Sequence, residues 1–220
     1  MELIELEKYI EHTNVNPNCR EENVRKLCKE AIRFNFHSVV VLPYYVKLAR
    51  KLLEGTDIKV CTVIGFPYGI QNTKAKLAEL EEVINFVDEI DTVMNRPAFK
   101  NGDYELVIKD VKALVNACNP VGKKVKVIIE TPELSLDEIK TAARLVMEAG
   151  ADFVKTAVGL KGPTRIEHVE AIKAVVGDSL GIKASGGIRT YRQALAMINT
   201  GATRIGSSHG VEIIESKPRS

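Results

Sequence analysis

Several signatures are missing from this sequence of 220 residues, and each absence argues against a class of protein. No apolar run approaches the roughly 18 residues that a membrane span needs. The N-terminal segment MELIELEKYIEH is too acidic for a secretory signal. The formal net charge is only +2, and both signs are mixed along the chain, so there is no basic arm or stripe for nucleic acid or a membrane surface. We therefore expect a cytoplasmic protein with neither nucleic acid nor membrane as a partner.

The four cysteines and four histidines are too scattered to define a disulfide framework or a metal site. No CxxC pair occurs, which predicts reduced thiols in a protein without an export signal. The histidines show no HxxH or similar ligand spacing. Glycine-rich nucleotide loops are also absent, and no Ser–His–Asp set can be proposed. The sequence predicts neither a metal nor another cofactor.

Short β-branched runs alternate with longer amphipathic stretches along the whole chain. The predicted strands are 10–15, 38–42, 59–64, 89–95, 124–130, 152–158, 180–185 and 203–207. The predicted helices are 22–34, 46–54, 73–86, 104–117, 136–149, 166–176 and 191–199, followed by a short segment at 211–215. Strict alternation implies a parallel sheet with right-handed crossovers.

About eight such units in roughly 200 residues or more have the size of a (β/α)8 TIM barrel. We predict a single domain over residues 1–220, with 1–8 as a short leading helix or cap and 217–220 as a loose tail. The rival is an open doubly wound sheet. It is disfavoured because no GxGxxG opens the first unit and polar residues gather at the ends of many strands.

Lys155 is the first candidate for chemistry, because barrel enzymes react at the C-terminal ends of their strands. In DFVKTAV, strand alternation places it on one face with Phe153 and Ala157. Burial of an ammonium is costly, so a lysine held inside should have a lowered pKa and attack carbonyls as a neutral amine. The alternative is a side chain that reaches the barrel mouth or pairs with a carboxylate.

Two more charged groups lie in other predicted strands, Lys183 in the strand next to that of Lys155 and Asp91 in an earlier one. Lys183, in GIKASGGIR, would repel Lys155 and lower the pKa of one of the two, or would instead contact a phosphate or carboxylate. Asp91, in DEIDTVMN, could exchange protons with a substrate through a water or neutralise a lysine. Asn95 is a possible polar neighbour, although a structural turn residue is the better expectation.

A phosphate site is predicted independently of the lysines. The turn Gly186-Gly187 leads into a helix, so its backbone N–H groups could bind an anion, and Ser207-Ser208 follow the last strand in the same way. Barrels often hold phosphate at the loops after strands 7 and 8. At the end of the first strand, Glu11 and Thr13 are further candidate substrate-binding residues.

From IEHT to RIGSSHGVEII, the chain resembles the deoxyribose-phosphate aldolase family. The motifs that carry the resemblance are CTVIGFPYG, EIDTVMN, VKVIIET, ADFVKT and IKASGGIR, in the order of the family. The resemblance implies a (β/α)8 barrel without a metal that reversibly cleaves 2-deoxyribose 5-phosphate to acetaldehyde and glyceraldehyde 3-phosphate.

The resemblance also implies a role for each matching residue. Lys155 would form the imine with acetaldehyde, Lys183 would perturb it, and Asp91 would belong to the proton relay. The positions that would hold the substrate phosphate are Gly186, Gly187, Ser207 and Ser208.

The chain departs from the family where substrate is recognised. The family usually has KTSTGF, whereas this chain has KTAVGLKGPTR, so Ala157 and Val158 remove two hydroxyls and Pro163 stiffens the next loop. Glu11 stands where the family usually has Asp, and Leu42 stands where Asn is common in the family. Loss of a hydroxyl partner weakens substrate discrimination, so we predict that the recognition of substrate is altered. The residues that would form the imine match the family, so we predict that the imine chemistry is intact.

Two alternatives remain open at this point. A lysine-dependent aldolase could use a different aldehyde or phosphosugar, or the barrel could bind a phosphometabolite with little turnover, because fold does not fix function. In each case the expected partner is a small phosphorylated sugar or aldehyde. Barrel enzymes often pair, so we also expect a homo-oligomer, a dimer or tetramer.

Overall fold

The computed structural model describes residues 5–218, which form a closed barrel of eight parallel strands. The strands are β1 Ile10–Asn14, β2 Ser38–Val41, β3 Lys59–Ile64, β4 Glu89–Val93, β5 Lys124–Ile128, β6 Phe153–Lys155, β7 Gly181–Ser185 and β8 Arg204–Ser207. Each strand pairs with the next along the chain, and β8 closes on β1. The predicted (β/α)8 barrel is confirmed.

Helices surround the barrel in the expected alternation. They are α1 Glu21–Phe34, α2 Val46–Leu52, α3 Thr73–Val83, α4 Arg96–Lys100, α5 Tyr104–Cys118, α6 Leu136–Glu148, α7 Ile166–Val176, α8 Tyr191–Asn199 and α9 Gly210–Glu215. The segment before β1 contains a 3-10 turn at Leu6–Tyr9. Of the predicted leading helix and tail, residues 1–4 and 219–220 lie outside the described residues.

Helix ends follow from side-chain capping. The Ser135 hydroxyl accepts a hydrogen bond from the Glu138 backbone N–H, and the Glu138 carboxylate accepts one from the Ser135 N–H, which together begin α6. Asn95 caps α4, a helix that the sequence pattern did not predict, by accepting from the Ala98 N–H at 3.1 Å. Asn95 is thus a structural residue, and β4 ends two positions earlier than predicted.

Apolar residues fill the space between the sheet and the helices, whereas the barrel interior is largely ionic. Outward-facing strand residues such as Val39, Ile90 and Val154 are fully buried in the core. Inward-facing residues form a small apolar cluster of Val40, Cys61 and Val63. Three lysines and three carboxylates occupy the rest of the interior and lie at the base of the site. No helix within residues 5–218 is long and apolar enough to cross a membrane.

Candidate active site

A cavity of about 880 Å³ opens at the C-terminal ends of the strands. Its wall is built from the segments after β1, β2, β3, β6, β7 and β8 and from one face of α1. Lys155 reaches this wall with 5% of its surface exposed, whereas Asp91 and Lys183 are fully buried behind it. Lys155 is therefore the member of the predicted catalytic group that a ligand in the cavity can touch.

Asp91 joins the two lysines. Its Oδ2 accepts hydrogen bonds from Lys155 Nζ at 2.7 Å and Lys183 Nζ at 2.6 Å. Lys155 and Lys183 are register partners on β6 and β7, which brings both side chains to the same level of the barrel. The structure thus brings the three residues together, and it favours the interpretation of Asp91 as a carboxylate that neutralises lysines.

The surroundings of the two lysines act on their pKa values in opposite directions. Burial lowers the pKa of Lys155, Asp91 raises it and Lys183 lowers it again, with a net decrease from the ordinary value. Burial also lowers the pKa of Lys183, but Asp91 and Glu11 outweigh it, with a net increase. Lys155 is the lysine that more readily becomes a neutral nucleophile.

The ion cluster contains two members that the sequence reasoning did not single out. Lys126 Nζ lies 3.3 Å from Asp91 Oδ1 and forms an ion pair with Glu89. Both are buried, and Glu89 also contacts the His37 ring at 3.3 Å. The signal was present in the sequence, because Glu89 and Lys126 are charged residues inside apolar strands, as Lys155 is.

Glu11 and Thr13 occupy different environments although both belong to β1. Glu11 is fully buried, and its Oε2 lies 2.5 Å from Lys183 Nζ and 3.4 Å from Lys126 Nζ. Thr13 lines the cavity, and its hydroxyl donates to the Glu11 carbonyl at 3.0 Å. The geometry gives Glu11 a role in balancing lysine charge, while Thr13 stays a candidate for contact with substrate.

Glu11, Cys61 and Glu89 are the one group of three close ligand-type atoms found among the described residues. Lys126 Nζ lies 3.5 Å from Cys61 Sγ and 3.4 Å from Glu11 Oε2, and it pairs with Glu89. An ammonium therefore occupies the position that a cation would take. The donor set fits a buried lysine and not a divalent ion.

The predicted phosphate corner forms one wall of the cavity. Gly186 and Gly187 have φ angles of +103° and +76°, a region that favours glycine. A Cβ on Gly187 would approach the Pro163 Cβ to 2.8 Å, so the loop after β6 packs directly on this turn. The Thr164 N–H donates to the Gly186 carbonyl at 3.0 Å and fixes the contact.

The two serines after β8 differ in the availability of their hydroxyls. Ser207 is buried, and its hydroxyl donates to the Ile188 carbonyl and accepts from the His209 N–H. Ser208 is exposed, and its hydroxyl lies 3.1 Å from His209 Nδ1 at the cavity wall. Ser208 thus presents its hydroxyl to the cavity, whereas Ser207 acts on the shape of the loop.

The residues that depart from the aldolase pattern lie beside Lys155. Ala157 is fully buried, and its carbonyl accepts a hydrogen bond from the Ser185 hydroxyl at 2.6 Å. Val158 and Leu42 line the cavity. The Val158 N–H donates at 3.0 Å to Glu130, a buried carboxyl group whose pKa is raised by burial. An apolar surface therefore replaces hydroxyls on this wall, and a backbone hydrogen bond fixes its position.

A parallel barrel with a buried lysine pair and a phosphate-type corner is the architecture of a lysine-dependent aldolase. Residues 6–215 match the family model described as DeoC/LacD family aldolase. The chain belongs to this family and is a lyase.

Individual relatives agree over nearly the full length. The chain is 49% identical over 217 residues to the deoxyribose-phosphate aldolase of Aciduliprofundum boonei, covering 98% of each protein. It is 48% identical over 216 residues to that of Thermococcus gammatolerans, covering 96% of each. Among solved structures, the tetrameric deoxyribose phosphate aldolase from Aeropyrum pernix superimposes with a TM-score of 0.90 at 32% identity, covering 96% of this chain and 90% of that one.

Proposed function

We propose that the protein reversibly cleaves 2-deoxy-D-ribose 5-phosphate to acetaldehyde and D-glyceraldehyde 3-phosphate through a Schiff base on Lys155. The observation that carries this proposal is the position of Lys155: it meets the cavity, its pKa is lowered chiefly by burial, and Asp91 lies 2.7 Å away. The names of the relatives support the choice of substrate.

The reaction proceeds through a carbinolamine, an imine and an enamine on Lys155. The neutral Lys155 amine attacks the C1 aldehyde of the open-chain sugar to give a carbinolamine, which takes up a proton at its hydroxyl and loses water to give the protonated imine. The proton on the C3 hydroxyl is then removed as the C2–C3 bond breaks, which releases glyceraldehyde 3-phosphate and leaves an enamine on Lys155. Protonation at C2 and hydrolysis release acetaldehyde and regenerate the lysine.

Each residue of the site has a part in this scheme. Asp91 holds the Lys155 amine in place and accepts and returns protons at the substrate through a water. Lys183 stays charged and disfavours a second ammonium beside it. The Gly186-Gly187 turn and Ser208 bind the phosphate at the wall of the cavity formed by the segments after β7 and β8.

A second candidate is an aldolase of the same mechanism that takes another aldehyde or phosphosugar. The observation that favours it is the apolar surface of Val158 and Leu42 on the cavity wall, where the family has hydroxyl and amide groups. Comparison of kcat/KM for cleavage of deoxyribose 5-phosphate with that for other phosphosugars decides between the two substrates.

Trapping of the imine tests the mechanism itself. The protein is incubated with acetaldehyde and borohydride and digested, and we expect mass spectrometry to find the reduced two-carbon adduct on Lys155. A Lys155→Ala variant should lose the adduct, whereas Lys161→Ala, which removes a half-exposed lysine from the neighbouring loop, should keep it. Absence of the adduct from Lys155, or its persistence elsewhere in Lys155→Ala at full yield, would refute the mechanism.

We also propose a cytoplasmic homo-oligomer. The four cysteines are free thiols, as expected in a reducing compartment. The relative from Aeropyrum pernix is described as a tetramer, which makes a tetramer the assembly to test by light scattering.

A further inference from the structure

An ion pair lies below Asp91, on the side away from the cavity. Glu89 is the first residue of β4 and therefore lies at the N-terminal mouth of the barrel. Lys126 on β5 is the register partner of Asp91 and is fully buried. A ligand in the cavity touches neither side chain, so any effect of the pair on the reaction must pass through Asp91.

The contacts form a continuous ionic chain from this mouth to Lys155. The His37 ring, partly exposed at the N-terminal mouth, lies 3.3 Å from Glu89 Oε1, and Glu89 Oε2 pairs with Lys126. Lys126 Nζ is 3.3 Å from Asp91 Oδ1, and Asp91 Oδ2 is 2.7 Å from Lys155 Nζ. Asp91 is thus held through one oxygen by Lys126 and through the other by the reactive lysine.

We propose that Glu89 and Lys126 are positioning residues for the aldolase reaction put forward above, and that their charges set the pH at which Lys155 becomes a nucleophile. The inference rests on the proposed function, because it concerns the same lysine. It assigns a role in the reaction to residues at the mouth opposite to the one that admits substrate.

The number of charges gives the direction of the effect. Apart from Lys155, the cluster holds two ammonium groups, on Lys126 and Lys183, and three carboxylates, on Glu11, Glu89 and Asp91. Their net charge is therefore −1, which favours the ammonium form of Lys155 and partly offsets its burial. Removal of Glu89's charge brings the net charge to 0, and removal of Lys126's charge brings it to −2.

Other groups around Lys126 are few. Cys61 on β3 lies 3.5 Å from its Nζ, with the thiol pKa raised well above its ordinary value by burial, so the sulfur is neutral. The Phe153 ring on β6 lies 5.9 Å away and carries no charge. The guanidinium of Arg204 on β8 approaches the same ring at 5.7 Å, and neither substitution removes it. The two substitutions below therefore change the charge near Lys155 in a known direction.

The test is the acidic limb of the pH profile of kcat/KM, which reports ionisation in the free enzyme. Glu89→Gln should move this limb to lower pH, because a less negative cluster disfavours the Lys155 ammonium. Lys126→Met should move it to higher pH for the opposite reason. We expect each limb to move by about one pH unit, since unit charges at this range interact strongly in a protein interior.

The double variant Glu89→Gln/Lys126→Met restores the net charge of −1 and should return the limb close to that of the wild type. It also keeps the test informative if Lys126→Met does not fold, because removal of both partners avoids leaving an unpaired buried charge. Loss of structure alone cannot produce displacements of opposite sign that cancel in combination.

Asp110→Asn is the matched control. Asp110 pairs with Lys76 at 2.6 Å, and both side chains are as buried as Lys126, but the pair lies on α3 and α5 outside the barrel interior. This variant should lose stability and keep the limb in place. Limbs that stay fixed in Glu89→Gln and Lys126→Met, or that move in the same direction in both, would overturn the inference. If wild-type Lys155 still forms the borohydride-trapped adduct, such limbs would contradict only this inference and would leave the proposed function standing.

Discussion

Two lysines on neighbouring strands acquire different chemistry through their carboxylate partners. Both are buried at the same level, so desolvation disfavours both ammonium groups. Lys183 has two close carboxylates, Glu11 at 2.5 Å and Asp91 at 2.6 Å, whereas Lys155 has only Asp91. The additional carboxylate helps to raise the pKa of Lys183 above its ordinary value, whereas the pKa of Lys155 lies below its own, so Lys155 is the lysine that loses its proton more readily.

Lys183→Leu tests this division. Removal of the neighbouring cation raises the pKa of Lys155, because the charge that opposed its ammonium is gone. We therefore expect the acidic limb of kcat/KM to move to higher pH, and activity at neutral pH to fall about tenfold for each pH unit that the limb moves. Lys183→Arg, which keeps the charge, should leave the limb near its wild-type position. A limb unchanged in Lys183→Leu would contradict the assigned role.

Among individual residues, the sequence identified the candidate catalytic groups better than the charged side chains that pair with them. Lys155, Lys183 and Asp91 were predictable because charged groups stand out in apolar strands. The partnership of Glu11 with Lys183 was not, because it depends on the register across the closure between β1 and β8 and not on sequence distance. Lys126 was not predicted because it lies in the middle of β5, away from the strand ends where barrel enzymes react.

At the scale of elements, the turn after β7 in the proposed phosphate corner packs on the loop after β6. The turn after β7 has the glycines that its positive φ angles require, and the loop after β6 places Pro163 against Gly187. The sequence predicted the glycine turn because its position after strand 7 is diagnostic. It could not predict the packing of Pro163, because the path of the loop is set by contacts such as the Thr164 N–H to the Gly186 carbonyl.

Gly187→Ala, with Gly55→Ala as its control, tests the importance of this packing. The two glycines have φ angles of +76° and +77°, so alanine is strained equally at both, by about 1 kcal/mol. Only at Gly187 would the new methyl group also clash, with Pro163, whereas Gly55 has open space around it.

We expect both variants to be somewhat less stable in thermal unfolding. Gly187→Ala alone should raise KM for D-glyceraldehyde 3-phosphate in the synthetic direction by about tenfold, the effect of about 1.4 kcal/mol of lost binding. KM for unphosphorylated D-glyceraldehyde should change little. An equal rise for both acceptors would place the phosphate elsewhere in the cavity.

For the molecule as a whole, the barrel interior is as buried as the apolar core between the sheet and the helices, yet six ionisable side chains lie in it. Removal of charges from water is costly, and only complete pairing offsets the cost. With three ammonium groups and three carboxylates the interior is neutral, so each charge depends on the others. The fold is therefore expected to respond to pH as one unit, and the carboxylates are the members that titrate in acid.

Acid should destabilise the protein through Asp91 and Glu89. Burial alone would raise the pKa of each, but the neighbouring lysines outweigh it and hold both pKa values well below the ordinary range. A depressed carboxyl pKa contributes stability above the pKa of the unfolded chain, about 4 for these residues, and this stability is lost as the pH falls towards the folded value. Glu130, with its raised pKa, acts in the opposite direction and offsets part of the loss.

The free energy of unfolding, measured in urea between pH 7 and pH 3, should hence be nearly flat down to about pH 5. Below that it should fall by up to about 1.4 kcal/mol per pH unit for each of the two carboxylates. The double variant Glu89→Gln/Lys126→Met has lost one of these carboxylates together with its partner, so its slope below pH 5 should be shallower by the contribution of one proton. Equal slopes in the two proteins would show that Glu89 has no part in the pH dependence of folding.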